Sequence, residues 1–159
     1  MLLTQISFYL PFADERCEKG WVFYGGSCYY REGRKKAMTS WDDAQKFCKS
    51  NQANLVTVND ADEQNFLSGL VKGQGSWNGL NNKDDKNVLE WVSGEDSKYT
   101  YWAPNEPVKS KKKRCVHMNM ARHNLKWKME GCSTKKRFTC EKGRFAICSF
   151  YSFLWKTGL

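Results

Sequence analysis

The chain has 159 residues, 40% of them hydrophobic and 14% aromatic, which is enough apolar material for one packed domain with loose ends and excludes disorder over the whole length. Lys and Arg number 26 against 17 Asp and Glu; the net charge of +9 says nothing of the fold but favours polyanionic partners such as acidic glycans, anionic membrane surfaces or nucleic acid. No run reaches the roughly 18 apolar residues of a membrane span, and Phe145 to Trp155 falls well short, so no span is expected and the mature protein should be soluble.

Seven cysteines stand at 17, 28, 48, 115, 132, 140 and 148, spread along the chain rather than paired as C-x-x-C. Zinc sites bring close pairs or Cys/His clusters, and Cys115 with His117 is the nearest approach to one. A disulfide framework in an oxidising compartment is the better reading, and it makes a secreted, extracellular protein the expectation. The spacing alone leaves the pairing open, and one cysteine must be left over.

Met1 to Arg16 has a short apolar middle but no basic start and no small-residue cleavage site, so it reads either as a partial signal peptide or as a disordered lead-in. From Gly20 to Tyr30 an aromatic stretch is split by Gly25-Gly26, which predicts a β-hairpin that Cys17 and Cys28 are placed to staple. Ser40 opens a helix, with Asp43 as its capping-box partner and Trp41, Ala44, Phe47 and Cys48 as its buried face. Asn54 to Val58 is a short apolar strand. Asn59 or Asp60 caps a second helix, with Asp62 and Glu63 in its first turn and Phe66, Leu67, Leu70 and Val71 as its stripe, and Gly73 to Gly75 stops it. Short strands follow at Ser76 to Leu80, Leu89 to Ser93, Cys115 to Met118, Leu125 to Met129 and Phe138 to Glu141. Helices first and strands later predict an α+β domain with an antiparallel sheet.

Between Trp91 and Cys115 lies a long segment with little strand pattern, the kind that is usually functional inside a compact domain. It leads into the most unusual stretch of the chain, Trp102 to Cys132. Two prolines, Pro104 and Pro107, flank the single carboxylate Glu106, and from Pro107 to Met129 there are eight Lys or Arg and no Asp or Glu. Such a segment is too polar for a core, yet tryptophans and cysteines bracket it like anchors, which points to an exposed binding surface. Glu106, Lys109, Lys111, Lys112, Lys113 and Arg114, with Lys126 and Lys128 on the following strand, are the candidate ligand-binding residues. Lysines act on sulfate or phosphate as point charges, which suits loose capture of sulfated or sialylated glycans, lipid headgroups or an acidic protein patch, with strong salt dependence. The plain alternative is a solvated charged face. The run also looks like a nuclear-localisation or nucleic-acid patch, but a disulfide scaffold does not belong in the nucleus, so no nucleic-acid partner is expected.

His117 and His123 have no Ser or Asp arrangement around them, so no catalytic residue is assigned and no enzyme is expected. Tyr29, Tyr30, Trp91 and Trp102 read as packing residues, and Trp127 as the anchor at the base of the loop. No N-x-S/T sequon is present. The tail, residues 142–159, is aromatic without a pattern: a native extension, a truncated anchor or an inauthentic end. Its Cys148 is the free thiol of a monomer or the bridge of a dimer.

The order C-x-x-G-W-x-x-x-G-G-S-C-Y, S-W-D-D-A-Q-K-F-C, A-N-L-V-T-V, W-N-G-L, W-V-S-G, Y-W-A-P-N-E-P, K-W-K-M-E-G-C and F-T-C-E closely resembles the C-type lectin-like domain in its long form, with the extra N-terminal hairpin. The resemblance runs from about Cys17 to Glu141, so it implies a domain at 17–141 between the lead-in 1–16 and the tail 142–159. It implies two helices packed on antiparallel sheets with a long ligand loop. It also implies that Cys17 pairs with Cys28, Cys48 with Cys140 and Cys115 with Cys132, leaving Cys148 odd. Asn78 stands where the family's core strand W-I-G-L has Ile, and weaker packing is expected there.

In the family a sugar commonly binds through a calcium held by Glu-Pro-Asn in the long loop, a Glu just before the next cysteine, and Asn-Asp after the Trp of the next strand. The matching positions here are Glu106-Pro107-Val108, Lys113 and Lys128-Met129. Calcium wants six to eight oxygens, and of these side chains Glu106 alone offers one, as the remnant of a metal clamp. Each lysine also places positive charge where the ion would sit. An auxiliary calcium site would need acids around Asn82 and Lys86, whereas Asp84 and Asp85 read as an exposed acidic turn. No metal and no cofactor are expected, and the Glu106-Pro107 bond, cis in many relatives, is left without that reason to be locked. Three readings remain: a calcium-independent module for anionic glycans or microbial surface polymers; a calcium-free protein–protein module; and a conventional calcium lectin with backbone and water oxygens replacing the missing ligands.

Overall fold

The computed structural model describes residues 17–84, 88–119 and 125–143. The expectations for residues 1–16, for most of the tail with Cys148, and for Asp85, Lys86 and His123 lie outside the described residues.

The elements in chain order are β1 (Val22–Tyr24), β2 (Ser27–Glu32), α1 (Trp41–Ser50), β3 (Asn54–Leu55), α2 (Ala61–Val71), β4 (Ser76–Asn81), β5 (Glu90–Trp91), β6 (Cys115–Met118), β7 (Trp127–Glu130) and β8 (Arg137–Gly143), with one 3-10 turn at Lys35–Ala37. The sheet runs β1-β2-β8-β4-β6-β7, with β3 added on β8 and β5 on β4. The β1–β2 hairpin turns through Gly25 and Gly26 at φ 53° and 91°, values that glycine reaches without a Cβ penalty.

Ser40 caps α1: its Oγ accepts from the Asp43 N–H at 3.2 Å and donates to Asp43 Oδ2 at 2.6 Å. Of the expected apolar face, Trp41, Ala44 and Cys48 are buried, but Phe47 is 38% exposed at the rim, its ring against those of Tyr30 and Phe138. Asp60 rather than Asn59 caps α2, accepting from the Glu63 N–H at 2.8 Å. The helix ends at Lys72, in the left-handed region at φ 48°, just before the glycines that were expected to stop it.

β3, β5 and β7 are shorter than the apolar runs suggest, while β4 and β8 are longer, and side chains explain part of the difference. Beyond Leu55, Val56 still donates to the Thr139 carbonyl, but the N–H groups of Thr57 and Asn59 go to the carboxylates of Glu141 and Glu63. The ladder therefore stops at Leu55. Leu125 takes φ 59° and the next strand begins only at Trp127, while the last strand continues to Gly143. One pairing departs from the antiparallel expectation: Ser76 and Trp77 lie parallel to Arg137 and Phe138, which makes the sheet mixed. A parallel pair needs a long crossover, and the segment holding β5, the long loop, β6 and β7 supplies it.

Two clusters fill the interior. One joins Leu67 and Val71 of α2 to Val56, Leu80, Trp91, Val116, Trp127 and Met129; the other joins Trp41 of α1 to Leu55, Trp77, Phe138 and the Cys48–Cys140 cystine. Gly79 lets β4 pass this close to β3, since a Cβ there would meet the Leu55 carbonyl oxygen at 2.7 Å. Asn78 is fully buried; its Oδ1 accepts from the Leu80 N–H and its carbonyl from Trp41 Nε1 at 2.8 Å, so polar bonds occupy the place of aliphatic packing. The disulfides join Cys17 to Cys28, Cys48 to Cys140 and Cys115 to Cys132, the pairs the resemblance implies. By the chain-entropy estimate, closing the long Cys48–Cys140 loop contributes up to about 4.5 kcal/mol.

Candidate functional site

The long loop joins β5 to β6, and an aromatic box holds its first leg. Trp127 is fully buried, with the rings of Trp91, Trp102 and Tyr99 edge-on to it at 5.6, 5.6 and 5.9 Å. Its Nε1 donates to Gln64 Oε1 at 2.8 Å. The backbone is tied as well: the Trp127 N–H donates to the Tyr101 carbonyl at 2.7 Å, and the Ala103 N–H to the Trp127 carbonyl at 3.0 Å. This leg is thus fastened along the edge of β7.

Past Ala103 the chain turns through Pro104 and Asn105, the latter at φ 63°, into a cis Glu106-Pro107 bond. Glu106 Oε2 accepts from the Val108 N–H at 3.2 Å and from the Met129 N–H at 3.1 Å. One carboxylate oxygen therefore clamps the loop to β7. Ser110 Oγ then accepts from the N–H groups of Lys112 and Lys113, which shapes the basic turn.

The expected cationic residues are not all placed alike. Lys109, Lys111, Lys112 and Lys113 are exposed, and among the described residues no carboxylate lies within ion-pairing distance of them. Arg114 is half-buried and folds against the end of β4, donating from a guanidinium nitrogen to the Lys83 carbonyl at 2.9 Å. Lys126 lies over the Tyr101 ring at 5.7 Å. Lys128 alternates with the buried Trp127 and Met129 and stands across from His117 on β6. Trp77 packs edge-on to His117, and burial, helped by the Lys136 charge, drives that imidazole down to about 4, so it is neutral at ordinary pH.

A calcium ion does not fit the loop. Glu106 spends an oxygen on two N–H groups, Val108 and Met129 bring no side-chain oxygen, and Lys113 and Lys128 bring ammonium groups. At the auxiliary position Asp84 is exposed, and Lys83 pairs with Asp42 and lies over the Trp41 ring at 5.1 Å.

A polar cluster forms that no local signal in the sequence predicts. The Tyr29 hydroxyl donates to Glu63 Oε1 at 2.7 Å and lies 3.3 Å from Glu141 Oε1. Asn59 Nδ2 reaches Glu95 at 3.2 Å, and Glu141 and Glu95 line a cleft of about 330 Å³ with Thr57, Asn59 and Ser93. Burial, together with the charges of Glu63 and Glu95, pushes the Glu141 carboxyl up to about 7; burial pushes Glu63 up as well. The available signals were Glu63 in a helix's first turn and Glu141 after a cysteine, and neither predicts that they meet.

The sequence profile described as "Lectin C-type domain" matches residues 37–142. C-type lectin lectoxin-Phi1 of Philodryas olfersii is 34% identical over 136 residues, covering 81% of this chain and 85% of its own. The crystal structure of human lithostathine superposes with a TM-score of 0.74 at 28% identity, covering 88% of this chain and 100% of that one. A calcium-independent type II antifreeze protein matches with a TM-score of 0.75 at 23% identity over 81% of this chain and 95% of that one, a likeness of fold alone.

Proposed function

The chain belongs to the lectin C-type domain family, and from that premise we propose that it is a secreted, calcium-independent recognition module that takes anionic glycans or microbial surface polymers on the lysines of its long loop. Lectoxin-Phi1, among its relatives, is a C-type lectin. The observation that carries the reading is the contrast within the loop: Lys109, Lys111, Lys112 and Lys113 are exposed with no described carboxylate against them, while Glu106 is committed to the backbone of β7. Free ammonium groups attract sulfate, sialate or phosphate over about a Debye length, roughly 8 to 10 Å at moderate salt. The aromatic box beneath limits the motion of the loop's first leg and so reduces the ordering cost of binding. The three disulfides support an oxidising, extracellular setting.

A glycan array probed with and without chelator tests this. Binding to sulfated or sialylated glycans that is insensitive to chelator is expected, and it should be lost when Lys111, Lys112 and Lys113 become alanine. Chelator-sensitive sugar binding would instead identify a conventional calcium lectin. A blank array with a dimer on non-reducing sizing would move the assignment to a protein–protein module.

A further inference from the structure

We propose a second oxyanion site, formed by Arg31 on β2 and Arg137 on β8, that takes a sulfate or phosphate group. Arg31 pairs with Thr139 in the β2–β8 ladder, so Arg137 is its diagonal neighbour on the same face, within reach of two long side chains. Both guanidiniums close on Gly33: Arg137 Nε donates to the Gly33 carbonyl at 2.8 Å, and a guanidinium nitrogen of Arg31 lies 2.9 Å from where a Cβ of residue 33 would sit. Like charges brought this close repel, and burial together with the Arg137 charge lowers the Arg31 pKa.

No carboxylate among the described residues forms an ion pair with either guanidinium, and the Glu32 charge offsets the burial and the Arg137 repulsion at Arg31 only in part. Glu32 is the nearest candidate, but it points to the other face of β2, where Arg34 grips it through two side-chain nitrogens and a backbone N–H, and Tyr30 adds a fourth bond. Arg31 spends one nitrogen on Gln74 Oε1, and its Nε is buried with no partner. Two adjacent forks with spare donors, half-buried and without a counter-ion, suit a tetrahedral anion, which offers oxygens to both at once.

The site is separate from the long loop. Arg137 pairs with Ser76 at the start of β4, whereas Asn81 at its far end pairs with Cys115, where the loop enters β6. At about 3.3 Å per residue the six-residue strand sets the two regions roughly 17 Å apart.

The test is to follow the arginine Nε–H signals by ¹H–¹⁵N NMR while sodium sulfate replaces sodium chloride at constant ionic strength, with inorganic phosphate as a parallel arm. The Arg31 and Arg137 signals are expected to shift saturably in at least one arm, and the tighter anion names the ester class. Arg31→Gln should weaken binding at least tenfold, whereas Lys46→Gln, which removes the same charge elsewhere, should not. Should Arg31→Gln fail to fold, Arg31→Lys keeps the charge, removes the fork and is expected to weaken binding as well. Replacing Lys111, Lys112 and Lys113 by alanine should leave the site unchanged, which separates it from the proposed function. Linear shifts shared by all arginines in both arms, or unaltered affinity in the folded Arg31 variant, would overturn the proposal.

Discussion

Glu106 stands at the position where the family resemblance implies a calcium ligand, and here its carboxylate bonds to the backbone. It accepts from the N–H groups of Val108 and Met129 and so clamps the loop to β7 through the backbone. Glu106→Ala removes that acceptor from both N–H groups, a loss of about 1–3 kcal/mol for each group left unsatisfied. A lower melting temperature is therefore expected, by the same amount with calcium and with chelator. The half-buried Glu141 yields a second prediction at this scale. In the fold it keeps its proton up to about pH 7, with Glu63, Glu95 and Tyr29 facing it, while in the unfolded chain it releases it near pH 4. The folded state binds more protons across that window, so this group's contribution to stability falls as pH rises from about 4.5 to about 7. His117 works the other way: held to about 4 in the fold and near 6.5 when unfolded, it costs stability as pH drops between those values. The contrast between wild type and Glu141→Gln isolates the first effect. The urea midpoint of the variant should fall less than that of wild type between about pH 5 and pH 8, and parallel pH profiles would refute the assignment. The sequence could not show this cluster, because Glu63 and Glu141 are brought together by tertiary packing alone.

Among the elements, those with local signals were the ones legible in advance. Both helices were readable because Ser40 and Asp60 have the cap chemistry and the apolar spacing follows; the hairpin was readable because Gly25-Gly26 allows the turn. Strand ends were harder, since Thr57 and Asn59 give their N–H groups to distant glutamates that a local pattern does not contain. Phe47 was misjudged for a similar reason: helical spacing marks the face, but how far α1 overhangs its sheet is decided by tertiary packing. The loop's first leg leads into the basic turn, and Trp127 organises it. Trp127→Phe removes the bond to Gln64, whose side chain is 2% exposed, and a stability loss of about 1–3 kcal/mol is expected. Faster hydrogen exchange at the Ala103 N–H, which is bonded to the Trp127 carbonyl, would show that the leg has loosened; unchanged exchange would show that the box does not hold it.

Across the described residues of the molecule, the excess of positive charge is concentrated rather than uniform. One concentration is the lysine turn between Val108 and Cys115, and another is the Arg31–Arg137 pair near the other end of β4. The family fold accounts for the place of the loop, and the residues on it account for the chemistry. A heparin column comparing wild type with the Lys111→Ala, Lys112→Ala, Lys113→Ala variant, each with and without chelator, tests the calcium-free anion reading most directly. A second triple variant, Lys19→Ala, Lys46→Ala, Lys49→Ala, controls for net charge alone. Wild type should elute at clearly higher salt than the loop variant and slightly higher than the control, with chelator changing nothing. Co-elution of wild type with the loop variant, or elution that collapses when calcium is removed, would contradict it.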